Sequence, residues 1–188
     1  MRRFFVVSVS LAAVLGLAAC GSSGSAKASS ATTAQKGQPA SVTYPPAGKN
    51  PSISAKMICQ TEAINDIAAA IEVKTTSVTK PTWVDHVYSC TYVYPHGSIV
   101  LSVKEVSTAA ETTAYFDGLA KKYGKKQDIN GLAQGAFVTP SDDVVVRKDY
   151  KILLVDVKGI APNFEPAMSR SDVAVNVASA IMSCWTGA

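Results

Sequence analysis

The stretch WVDHVYSCTYVYPHGSIVLSVK, residues 83–104, decides the fold. On an extended chain from Trp83 to Tyr94, the side chains of His86, Tyr88, Cys90, Tyr92 and Tyr94 fall on one face, while Asp85, Ser89 and Thr91 share the other with Val87 and Val93. A two-residue period in β-branched and aromatic residues is the mark of a half-buried strand. Pro95-His96-Gly97-Ser98 then supplies turn chemistry, and Ile99, Leu101 and Val103 alternate with Ser102 and Lys104 on the return. The pair reads as a β-hairpin whose aromatic face is turned toward a covering layer.

The layer is found on either side of the hairpin. Upstream, Ile64, Ile67, Ala68 and Ile71 mark one face of a helix that begins near Cys59 to Glu62. Thr75 to Lys80, closed by Pro81, is irregular or a short strand. Downstream, Thr108 and Glu111 have capping-box spacing, Tyr115, Phe116, Leu119 and Tyr123 form an apolar stripe, and Gly124 stops the helix. Gly131 to Val138 is a Gly-interrupted strand, Asp142-Asp143 a turn and Val144 to Arg147 a strand. Lys148-Asp149-Tyr150 turns the chain into Ile152 to Val157, whose unbroken apolar run fits a central strand buried on both faces. Ser171 caps a last helix carrying Val173, Val177 and Ile181. The expectation is an α+β domain over residues 56–188: an antiparallel sheet of about five strands with three helices, in the order α-β-β-α-β-β-β-α.

What precedes the domain is of another kind. Arg2 and Arg3 form a basic start, Phe4 to Leu17 is almost wholly apolar, and Ala18 and Ala19 are small. This is the layout of an export signal over residues 1–19. Its apolar run is about 14 residues, short of the roughly 20 that a membrane-crossing helix needs. Leu17-Ala18-Ala19-Cys20 resembles the bacterial lipobox. The resemblance implies that Cys20 carries a diacylglyceryl group and, with further acylation of the palmitate type, becomes the first residue of the mature chain. Arg2-Arg3 before Phe4-Phe5 is shared by twin-arginine signals and ordinary ones, so the export route stays open. Residues 20–55 are rich in Ser, Ala, Gly, Thr, Gln and Pro with no hydrophobic period, which reads as a disordered tether. A flexible coil of about 35 residues spans roughly 30 to 35 Å. The expected location is therefore the extracytoplasmic face of the cell membrane, with two or more acyl chains giving durable residence.

Charge narrows the partners. Of 18 basic residues in the chain, five (Arg2, Arg3, Lys27, Lys36 and Lys49) precede Lys56, and the remainder from Lys56 carries 13 basic against 14 acidic side chains. A near-neutral domain lacks the footprint that phosphate neutralisation requires, so nucleic acid is not an expected partner. Lys121, Lys122, Lys125 and Lys126 cluster at the end of the second helix, where they complement its dipole and solvate the surface.

The succession of a Cys-bearing first helix, Tyr88-Ser89-Cys90-Thr91-Tyr92, Leu101-Ser102-Val103-Lys104-Glu105, Val146-Arg147-Lys148-Asp149-Tyr150 and Ile181-Met182-Ser183-Cys184-Trp185 resembles small exported lipoproteins of actinobacteria. That resemblance spans about residues 56 to 188 and implies no particular activity. More loosely the layout is similar to PsbP-like α/β/α sandwiches, a likeness of architecture that carries no function with it.

With Cys20 lipidated, three cysteines remain for an oxidising compartment, so one pair and one further thiol are expected. Chain entropy gives about 3.7 kcal/mol for closing Cys59 on Cys90 and about 4.9 for Cys59 on Cys184, too close to choose between. Geometry favours Cys59–Cys90, which would staple the first helix to the hairpin; Cys59–Cys184 is the alternative. Cys184 then packs as a small hydrophobe beside Trp185.

Chemistry is harder to find. His86, Cys90 and His96 could suggest a metal, but a disulfide removes the thiolates a structural zinc needs, so no metal or cofactor is expected. Ser77-Val78-Thr79-Lys80 has Ser-x-x-Lys spacing in a stretch broken by Pro81, and there is no Gly-x-Ser-x-Gly elbow. Adjacent Asp142 and Asp143 face apart on an extended chain and so form no acid/base pair. Trp83, Tyr88, Tyr92 and Phe116 are the candidate lining of a ligand groove. The functional expectation is a non-enzymatic, monomeric envelope lipoprotein that binds a partner protein or a small hydrophobic envelope ligand. The alternatives are an envelope hydrolase with a dispersed site and a purely structural surface module.

Overall fold

A computed structural model describes residues 45–161, 164 and 168–185. The expected signal, Cys20 and the first part of the tether lie outside them. The chain runs through α1 (Ile53–Met57), α2 (Thr61–Ile71), β1 (Ser77–Val78), β2 (Thr82–Val84), β3 (Val87–Tyr94), β4 (Gly97–Glu105), α3 (Ala109–Tyr123), β5 (Gln127–Asp128), β6 (Gly135–Val138), β7 (Val144–Lys148), β8 (Lys151–Asp156) and α4 (Arg170–Cys184). The class is mixed α+β with an antiparallel sheet, as expected, but with eight strands and four helices among the described residues. The additional strands β1, β2 and β5 have two or three residues each, too few for a period to show.

The strands are ordered β1-β3-β4-β8-β7-β6-β5, with β2 also paired to β3 beside β1. The β3–β4 hairpin supplies one half, α3 carries the chain across, and the β5-β6-β7-β8 meander returns so that β8 pairs β4 at the centre. That places Leu153 and Val155 on one face and Ile152 on the other, each at most 1% exposed, because a strand between two neighbours with covered faces must be apolar throughout. On the first face Cys90, Tyr92, Leu101, Val103, Val144, Val146, Leu153 and Val155 pack against Ala63, Ile67 and Ile71 of α2 and Val173, Val177 and Ile181 of α4. On the second, Phe137, Val145 and Ile152 meet Phe116, Leu119 and Ala120 of α3. The first face is the more fully covered.

The structure departs from expectation at two places. The expected strand from Trp83 to Tyr94 breaks at Asp85-His86, whose φ angles of 49° and 59° form a two-residue reversal that folds β2 back on β3, with Val84 opposite Val87. Such mirrored turns match the twist of a hairpin and are usually announced by Asn-Gly or Asp-Gly; here no glycine marks the place, and His86 leaves the strand face. The tether also ends before residue 55. Ala47 N–H donates to Val106 O (3.3 Å), Lys49 O accepts from Trp83 Nε1 (2.9 Å), and Ser52 caps α1 by accepting from Ala55 N–H (3.2 Å). Ala55 and Ile58 are fully buried. Residues 47–55 thus form a strap across one end of the sheet. Their Pro, Gly and Ser content resembles that of a linker because the strap is held by backbone hydrogen bonds and one short helix rather than by an apolar period.

The disulfide joins Cys59, in the turn between α1 and α2, to Cys90 at the middle of β3, with 6.1 Å between their Cα atoms. Beside it Tyr92 Oη donates to Ile58 O (2.7 Å), and burial raises the Tyr92 phenol far above its ordinary pKa. Cys184 stays outside the bridge. It lies half-buried on α4, where its thiol donates to Asp66 Oδ2 of α2 (3.1 Å).

Candidate functional site

The four residues expected to line one groove are divided by the sheet. Tyr92 is 1% exposed beneath α2, and Tyr88 lies on the same face opposite Val103. Phe116 lies on the other side, its ring 5.1 Å from that of Phe137 and under the guanidinium of Arg147 at 5.5 Å. Trp83 sits by the strap, 5.6 Å edge-on from His86. The set therefore does not form one groove, because an aromatic residue on a helix can join an aromatic strand face only if the helix covers that same face.

A cleft does exist on the α3 side. Thr108 Oγ1 accepts from Glu111 N–H (3.1 Å), and Glu111 reaches back to accept from Ser107 N–H (2.8 Å), so the helix starts where the capping pattern places it. Its stripe then splits. Phe116 seals against Phe137, while Tyr115, Leu119 and Tyr123 lean over β4 and β8. With Val87, Ser102, Lys104, Ile152 and Leu154 they bound a cleft of about 140 Å³. Register explains the floor: Ser102 pairs with Leu154 and Lys104 with Ile152, so alternate residues of β4 and β8 share this face. Lys104 Nζ donates to Asp85 O (2.5 Å) and lies 5.9 Å from the centre of the Tyr115 ring. The Tyr115 phenol is pushed above its ordinary pKa, chiefly by burial, with Tyr123 adding and Lys122 opposing. The cleft is thus apolar at its floor, phenolic along one wall and cationic at one end. Its volume is below the few hundred Å³ usual for a whole cofactor, and suits one ring or a short acyl segment. The helical stripe is legible in the sequence period; Lys104, Ile152 and Leu154 become its partners only through strand register.

The remaining candidates are dispersed. His96 sits in the β3–β4 turn, and Ser77 is exposed on β1 with Lys80 exposed beyond its end. No cluster of three His, Cys, Asp or Glu suited to a metal occurs among the described residues. Of the clustered lysines, Lys125 pairs with Asp128 (2.9 Å), Lys126 with Asp142 (2.7 Å), and Lys122 lies over the Tyr123 ring at 5.0 Å.

Asp142 and Asp143 part company. Asp142 turns the chain at a φ of 68°, whereas Asp143 is 2% exposed, accepts from Val157 N–H (3.1 Å) and pairs with Lys158 Nζ (2.5 Å). Burial raises the Asp143 pKa above its ordinary value, and the bonds from Lys158 and Val157 only partly offset this. A pKa raised on folding adds stability below the unfolded pKa, and that stability is lost as pH rises through the folded pKa. Lowering the pH from about 7 to about 4 should therefore draw a stabilising contribution from Asp143 that Asp143→Asn lacks. Denaturant melts of both proteins across that range check it; a stability difference between wild type and variant that does not shift in favour of the wild type as pH falls would contradict the raised pKa.

Comparison with protein-family models, curated proteins and solved structures finds no match to the chain.

Proposed function

We propose that this chain is a non-enzymatic, membrane-anchored lipoprotein of the cell envelope, held by acyl chains on Cys20, whose domain takes up the apolar end of a small anionic amphiphile. The observation that carries the ligand reading is the cleft under α3: Ile152, Leu154 and Leu119 offer an apolar bed, and the Lys104 ammonium stands at its end. Desolvated apolar contact supplies the affinity, and a charge at the mouth orients the ligand. The anchor rests on the basic start, the apolar run and Leu17-Ala18-Ala19-Cys20. No helix among the described residues is long and apolar enough to cross a membrane.

Two measurements test the two halves. A fluorescent fatty acid should bind the purified protein; Lys104→Met should weaken it about tenfold, a loss of about 1.4 kcal/mol, and Ser102→Phe, which fills the cleft, should abolish it. Unchanged binding by Ser102→Phe would remove the cleft from consideration. For the anchor, Cys20→Ala should leave the precursor uncleaved or release the domain from the membrane fraction, and normal maturation with continued sedimentation would refute lipidation.

A further inference from the structure

Beneath the strap lies a second hollow, of about 260 Å³, walled by residues 45–52 on one side and by Glu105, Val106, Tyr150 and Lys151 on the other. Glu105 and Lys151 are register partners at the ends of β4 and β8, so their side chains emerge on the same face as neighbours. Both are buried, at 4% and 2% exposure. Glu105 Oε1 accepts from Ser52 N–H (3.0 Å) and from Ser52 Oγ. The Lys151 ammonium makes neither a hydrogen bond nor an ion pair with any other described residue. The stem of Lys151 is therefore packed away while its ammonium, met by no group among the described residues, is left to whatever enters the hollow beside it.

We infer that this hollow binds a small zwitterion of the α-amino-acid type, its carboxylate on Lys151 Nζ and its ammonium toward Glu105. The two charges decide the class together. Glu105 would repel a simple anion drawn to Lys151, and Lys151 would repel a simple cation drawn to Glu105, whereas a zwitterion satisfies both in a space of one amino acid. The strap forms one wall, so the ligand also bridges residues 45–52 to the sheet. This site is separate from the cleft under α3 and does not depend on its reading.

The test uses the full chain in detergent, titrated with each of the twenty L-amino acids and, as half-ligands, with sodium acetate and ethylammonium chloride. At least one amino acid should raise the melting temperature by several degrees, and each half-ligand should bind at least tenfold more weakly. Glu105→Gln, which keeps an acceptor for Ser52, should weaken binding at least tenfold. Lys151→Met should abolish it while melting no lower than the ligand-free wild type, and Ser102→Phe should leave it unchanged. The inference is overturned if no amino acid shifts the melt, if acetate alone binds as tightly, or if ligand-free Lys151→Met melts lower, which would show the ammonium already held by the protein's own groups.

Discussion

Cys90→Ser is expected to cost about 2–5 kcal/mol of stability, most of what a domain of ordinary marginal stability has. The bridge closes 31 residues of chain separation and joins the α1–α2 turn to the middle of β3, where Cys90 is 3% exposed. Losing it lets the unfolded chain expand, an entropic effect of about 3.7 kcal/mol, and puts a serine hydroxyl in an apolar layer. The strap and the two helices it leads into would then be held by packing and a few hydrogen bonds. Cys184→Ser is the control, because a serine can still donate to Asp66 and should lose no more than about 1 kcal/mol. Denaturant melts of the oxidised proteins measure both. Equal midpoints for Cys90→Ser and wild type would mean that the bridge does not restrain the chain, and peptide mapping that linked Cys59 to Cys184 would overturn the pairing.

Gly97→Ala should lose about 2–6 kcal/mol, from backbone strain and overpacking together. Gly97 has a φ of 129°, and an added Cβ would lie 2.2 Å from Gly159 O and 2.7 Å from Ile160 Cα. Both obstacles are backbone, so no side-chain rotation relieves them. The contact matters because the turn after β8 is fastened here: Ser98 N–H donates to Gly159 O (3.0 Å) and Ala161 N–H to His96 O (3.3 Å). Gly118→Ala on α3, where the new methyl meets nothing within 4 Å, should instead stabilise by about 0.5–1 kcal/mol. A Gly97→Ala midpoint within error of wild type would show that the hairpin and the turn separate freely.

Much of the frame was legible in the sequence, for local reasons. The alternation of residues 87–94 and 99–104, the capping pattern at Thr108 and the apolar run at Ile152 each carry their own structural preference. What was not legible depends on relations between distant residues. Whether Phe116 and Tyr92 share a face is set by which side of the sheet α3 crosses. Whether Glu105 and Lys151 are surface charges or a buried pair of opposite sign is set by β4–β8 register and by a strap whose composition is that of a linker. Asp85-His86 hid a reversal because aspartate and histidine can adopt the left-handed conformation without a glycine to signal it.

The short strands β1 and β2 bear on behaviour at high concentration. Both lie along the outer side of β3, and where they part, Thr79 takes over: its N–H donates to Thr91 O (2.9 Å) and its hydroxyl accepts from Thr91 N–H (3.0 Å). The backbone groups with which β3 could recruit a foreign strand are thereby consumed by segments too short, and too interrupted by Lys80-Pro81, to serve as templates themselves. At the opposite border β5 offers two residues, Gln127 and Asp128, next to Lys125 and Lys126. An open sheet protected at both borders in this way resists edge-to-edge polymerisation. Many copies can crowd together without the sheet of one growing into the next.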